Sequence, residues 1–150
     1  MCFNPVNGWS VSMSKSYKNW LDAMCGVVVL FGFIMASGAL PATEWPARLL
    51  LEWQNQGPLV IDRAARVTLG VLGGVMCGWG VTLYAAFQAA HMIGEGSARI
   101  WRLILASMIF WFVVDSSLSI ATGFALNALM NVGFLLAFVV PISVSGVLRR

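Results

Sequence analysis

From Leu103 to Leu148 the chain carries a single charged side chain, Asp115, in the run Phe110-Trp-Phe-Val-Val-Asp115-Ser-Ser-Leu-Ser119. A carboxylate in so apolar a stretch is tolerable only on a membrane helix that turns it toward protein or trapped water. Insertion scales put the cost of an acid at that depth at roughly 2.5–3.5 kcal/mol, which makes Asp115 a candidate functional residue.

Composition points the same way. Of 150 residues, 59% are hydrophobic and 10% charged, against about 25% charged in a typical soluble domain. Polar groups could not cover the surface of such a chain in water. The length suits one membrane domain, residues 1–150, of several spans joined by short connections, with no separate soluble enzyme. Cys2, Cys25 and Cys77 are far apart and form no CxxC pair, so Cys25 and Cys77 are read as small fillers of helix contacts. The net charge of +3 is not gathered into a basic run, which excludes a nucleic-acid arm. The opening residues, with Asn4, Pro5, Asn7 and Gly8, lack the pattern of a cleavable signal, so the segment from Trp20 is expected to act as an uncleaved anchor.

About 20 helical residues cross a hydrocarbon core. The sequence predicts spans over about 20–40, 66–90, 100–122 and 126–147, the last two divided at Gly123–Asn127. The predicted fold is all-α: an up-down bundle of four membrane helices. A short helix over about 44–54 lies between the first two spans. Thr43 is its predicted cap, Glu44 suits its positive end, and Pro46 is tolerated in its first turn. Trp45, Leu49 and Trp53 share one face, as expected of a helix lying in the membrane interface. Gly57 supplies the expected left-handed stop. With four spans, Lys15, Lys18, Arg99, Arg102, Arg149 and Arg150 fall on one side, and Arg48, Arg63 and Arg66 on the other. Basic residues concentrate on the cytoplasmic side, so both termini are expected there.

Gly70, Gly74 and Gly78 recur every four residues along the second span and continue to Thr82 and Ala86. Such a row lets a neighbouring backbone approach closely. Packing within the bundle is the leading reading and a homodimer seam the second; Gly73 and Gly80 widen the row, and Gly32 and Ala36 of the first span are candidates to face it. On the third span Ser107, Trp111, Asp115, Ser119 and Thr122 fall on one face. Asp115 lies about 20 Å along the axis from Arg102 at 1.5 Å per residue. On the returning span, Asn127 and Asn131 reach a similar depth, and Arg66 enters from the outer start of the second. The candidate intramembrane cluster is therefore Asp115, Ser119, Asn127, Asn131 and Arg66. An arginine there would keep the acid ionised as a static brace; Asn and Ser alone would leave a proton-exchanging group.

Pro141 removes an amide from the fourth span and frees the carbonyl of Ala137; Ser143 and Ser145 are the nearby groups able to re-satisfy backbone. His91, beside Gly94-Glu95-Gly96, is read as a loop residue. Trp20, Trp45, Trp53 and Trp101 are expected at interfaces, with Trp79 and Trp111 deeper. No phosphate loop, nucleophile elbow or metal-ligand spacing occurs. The sequence thus assigns no catalytic residue, metal or cofactor, and internal repeats of the transporter kind are not evident.

The segment Gly38-Ala-Leu-Pro41, the Arg66-x-x-x-Gly70 opening and the continuation Leu72-Gly-Gly-Val-Met-Cys-Gly-Trp-Gly80 carry a resemblance, with the stretch from Trp111 to Asn127. Together they resemble the small bacterial four-helix inner-membrane proteins grouped with the DoxX-like families. The resemblance implies the fold and a bacterial inner-membrane location, and carries over no catalytic residue. The leading expectation is a non-enzymatic accessory or scaffold subunit that self-associates or packs in a larger membrane complex. The alternative is a small proton-linked carrier of a small molecule or lipid that uses Asp115. An intramembrane enzyme lacks a second catalytic group.

Overall fold

Residues 13–94 and 96–149 are described by the computed structural model. Cys2, Asn4, Pro5, Asn7, Gly8, Glu95 and Arg150 lie outside the described residues. The elements run α1 (Lys15–Ser37), α2 (Trp45–Asn55), α3 (Arg63–Ile93), α4 (Ala98–Ala121) and α5 (Ala125–Val144), then a 3-10 turn at Val147–Arg149. Ser14 caps α1 by accepting the Tyr17 amide, and Asp62 caps α3 by accepting that of Ala65. α1, α3, α4 and α5 are long and apolar enough to cross a membrane. The predicted architecture of four spans with a short helix after the first is the observed one, and it makes the chain a multi-pass membrane protein.

Several local expectations shift. α3 has 31 residues, about 46 Å at 1.5 Å per residue, and outruns a hydrocarbon core of about 30 Å. His91 is therefore in its last turn, not in a loop, and its ring packs 5.1 Å from that of Trp101. Thr43 does not cap α2; its hydroxyl donates instead to the Ser37 carbonyl at 2.9 Å, and Glu44 takes the cap position. The left-handed stop is Gln56 (φ 56°) rather than Gly57. Gly123 does turn the α4–α5 hairpin with φ 87°, but Asn127 sits inside α5, where its side chain is free to face α4.

The closest helix pair is α1 with α3, and glycines make it so. A Cβ on Gly73 would fall within 2.5 Å of the Gly32 carbonyl, and one on Gly80 within 2.7 Å of a Val29 methyl. Conversely, a Cβ on Gly32 would meet Cys77 Sγ at 2.7 Å. The seam is thus Gly73–Cys77–Gly80 against Cys25, Val29, Gly32 and Ala36. The strict row Gly70, Gly74, Gly78 is rotated off it: Gly70 touches Ala39, whereas Gly74 and Gly78 meet nothing within 4 Å. The rotation is one residue, or about 100° of helix.

The apolar core fills the end of the bundle nearer the chain termini. Leu21, Cys25, Val28, Leu83, Phe87, Trp101, Met108, Phe138 and Ile142 pack there. Trp101, expected at an interface, is 1% exposed and stacks on Phe87 with centroids 5.6 Å apart. Toward the α2 end a cavity lies between the α1–α3 pair and the α4–α5 hairpin. α3 and α4 are consecutive yet share few contacts, and the space this leaves holds the candidate site.

Candidate functional site

Asp115 sits in the second half of α4, one turn after Trp111. Its hydrogen-bond partners come from α5, across the α4–α5 hairpin. The Asn131 amide donates to Asp115 Oδ2 and, at 3.2 Å, to the Ser116 hydroxyl. The Asn127 amide donates to the same Oδ2 at 3.2 Å and to Ser119 Oγ at 2.9 Å. From α2, Gln54 donates through Nε2 to Asn127 Oδ1 at 3.1 Å, which ties the interfacial helix to the cluster. Asn131, Ser116, Ser119 and Gln54 are buried. Asp115, Ser119, Asn127 and Asn131 therefore converge as the helical spacing suggests. Ser116 and Gln54 join them without having been foreseen. Ser116 follows Asp115 directly, a spacing that does not share a helix face but does reach the neighbouring helix at a crossing. Gln54 is polar on the inward side of an otherwise apolar α2 face, which is the signal that marks it.

Arg66 does not join. Its guanidinium pairs with Glu44 Oε2 at 2.6 Å and donates to the Gly38 carbonyl at 3.4 Å. Glu44 is nearer to the start of α3, and an ion pair at the membrane boundary avoids carrying an arginine inward. Arg48 completes this outer cluster: it donates to Glu44 Oε1, through Nε at 3.0 Å, and to the Leu59 carbonyl at 3.0 Å. Arg48 and then Arg66 hold the Glu44 carboxyl below the usual carboxylate range. The cluster pins the start of α2 to α1 and α3.

Between the hairpins is a cavity of about 600 Å³, within the 300–1,000 Å³ range of small-molecule sites. Asp115, Ser119, Asn127, Asn131 and Gln54 are its polar residues, together with Thr122 at its outer edge. The rest is apolar, including Phe31, Met76, Trp79, Trp111 and Phe134. Leu51 and Gln54 of α2 form its roof. Val75 of α3 and Leu118 of α4 line it and are also 64% and 60% exposed, so the wall between α3 and α4 is open toward the bilayer. Among the described residues no arginine, lysine or histidine lines it, and no hydrogen-bond donor reaches Asp115 Oδ1. Nor does any group of His, Cys, Asp and Glu among them form a metal set.

The site's side-chain amides are committed. The Asn127 and Asn131 amides both face protein acceptors, and Gln54 Nε2 is shared between Asn127 and Met130. The second oxygen of the Asp115 carboxylate remains as an acceptor with no donor among the described residues.

Two further polar contacts lie outside this site. Asp22 Oδ1 accepts from Gln88 Nε2 at 2.9 Å between α1 and α3, and Trp20 Nε1 donates to the Ala137 carbonyl at 2.8 Å. Ser107 turns away, donating to the Ile104 carbonyl. Comparison of the chain with known protein families, curated proteins and solved structures finds no match.

Proposed function

We propose that this protein binds a lipophilic small molecule or lipid within its membrane domain and works as a proton-linked carrier, with Asp115 as the exchanging group. The observation that carries this reading is the cavity whose polar end is an acid with no positive partner. Asp115 is half-buried, and a carboxylate at membrane depth without a countercharge is costly, so charge balance falls to a proton or to the cargo. The opening between α3 and α4 gives an apolar molecule a route from the bilayer. We place the protein in a bacterial inner membrane with both termini cytoplasmic, on the excess of basic residues on that side and the DoxX-like resemblance. The cavity then opens to the outer leaflet.

The test is native mass spectrometry of protein released in mild detergent, compared with Met130→Trp, which fills the cavity from α5. A retained apolar adduct of one per chain, lost on filling, supports the reading. A wild-type chain free of adduct, or an adduct indifferent to Met130→Trp, argues against it.

A second reading, self-association or packing in a larger complex, is favoured by one observation. Gly74 and Gly78 are small, exposed and packed on nothing, and they form a smooth strip on which another helix fits. Gly74→Ile tests it: an assembly that survives the substitution places the contact elsewhere.

A further inference from the structure

Taking the cavity as a cargo site, we infer the cargo's class: a lipophilic organic cation, its charge against Asp115 and its body against the Trp79–Trp111 pair. The inference deepens the proposed function and rests on it.

Three features converge. First, the polar end of the cavity offers acceptors and no free charge of opposite sign. Asp115 Oδ2 already takes two amides, while among the described residues no donor meets Oδ1. An anionic head group would meet the Asp115 carboxylate as a like charge, with no cationic side chain among the described lining residues to offset it. Second, the aromatic pair is placed for a cation. Trp79 of α3 and Trp111 of α4 both line the cavity, with centroids 5.3 Å apart. Trp111 precedes Asp115 by four residues, so the two side chains share a helix face. Indole faces attract a cation within about 6 Å of the ring centre, and more strongly when water is excluded. Third, the opening between α3 and α4 is lined by Leu72, Val75 and Leu118, which suits a molecule arriving dissolved in lipid and not a hydrated ion.

Charge balance sets the stoichiometry. One cation replaces one proton on Asp115, and the proton leaves to water. Among the described residues no second titratable or charged side chain lines the cavity from α1, α2, α3 or α5, so one acid accounts for the exchange.

Three probes of the same tetrahedral shape separate the outcomes: tetraphenylphosphonium, neutral tetraphenylmethane and tetraphenylborate, each measured by equilibrium binding to the full chain in dodecyl maltoside. The expected result is saturable binding of the phosphonium at one per chain, weakening with acid, with the borate excluded. Asp115→Asn should weaken the phosphonium at least tenfold and the neutral probe far less. Trp111→Leu, which keeps the acid, should weaken the phosphonium more than the neutral probe, and Asp115→Glu, unlike Asp115→Asn, should retain phosphonium binding. Should all three probes bind alike, or Asp115→Asn leave phosphonium binding intact, the cation class is overturned while the cavity stands as a lipophile site. Should none bind, both this inference and the proposed function fall.

Discussion

The indole of Trp20 on α1 donates to the carbonyl of Ala137 on α5 at 2.8 Å. That carbonyl lies four residues before Pro141, which has no amide to offer it. The expected local repair does not occur there: Ser145 donates to Ile142. Instead a side chain from another helix fills the gap, so the proline defect becomes a tie between α1 and α5. Trp20→Phe should lose about 1 kcal/mol or less of stability in a denaturing-detergent titration, in the range of interhelical polar contacts. In a Pro141→Ala background the restored amide serves Ala137, and the loss should shrink toward zero. Equal losses in both backgrounds would show that ring packing, not the hydrogen bond, is what Trp20 contributes.

The glycine seam gives a position-specific prediction. Gly73→Ala places a methyl against the backbone of Gly32 and Ala36, neither of which can retreat without separating α1 from α3. Overpacking of this kind costs about 1–3 kcal/mol. Gly74→Ala, one residue on, meets open space and should leave monomer stability unchanged or slightly improved, since alanine favours helix. Unfolding of the two variants side by side decides it. Comparable destabilisation by both would contradict the observed register.

The same pair of positions shows where sequence reading ends. Spacing along a helix identifies which residues share a face, so the convergence of Asp115, Ser119, Asn127 and Asn131 was accessible once the hairpin at Gly123 was recognised. It does not give the rotation of one helix against another. The Gly70–Gly74–Gly78 row was as regular as a packing seam should be, yet the close approach belongs to Gly73 and Gly80. Arg66 was within reach of Asp115 by axial position, but Glu44 offered a countercharge at the membrane boundary, and a sequence does not rank two acids for one arginine. Trp101 carries the residue type of an interface anchor; only the turn of α4 against Phe87 buries it. The cavity left no trace in the sequence, because it arises from how the α1–α3 pair sits against the α4–α5 hairpin.

Glu44 supplies the pH dependence. Arg48 and Arg66 depress its pKa below the ordinary 4.5, so the folded state binds this proton less readily than the unfolded one. The stabilisation is fully present above the unfolded value and is lost as pH falls through the lower, folded value. Thermal melts of wild type should therefore decline below about pH 4.5 more steeply than those of Glu44→Gln, which lacks the titrating group. High salt should reduce the difference, since the pair sits near water. Parallel profiles for the two proteins would remove Glu44 as the source.

Asp115 is the position where the two readings of the cluster predict different stabilities. If the acid serves as a neutral hydrogen-bonding group when cargo is absent, Asp115→Asn keeps a carbonyl oxygen for the Asn127 and Asn131 amides. Its stability should then stay within about 1 kcal/mol of wild type. Asp115→Leu removes the acceptor and leaves those amides with Ser119 and Ser116 alone, so it should lose about 1–3 kcal/mol. The measurement is unfolding of both variants at neutral pH, with cargo removed by extensive detergent exchange. The expected order is wild type and Asp115→Asn together, Asp115→Leu well below. If Asp115→Asn falls as far as Asp115→Leu, the cluster depends on a negative charge that an amide cannot supply. Asp115 would then be a fixed anion within a structural knot, and the proton-exchanging role would be lost.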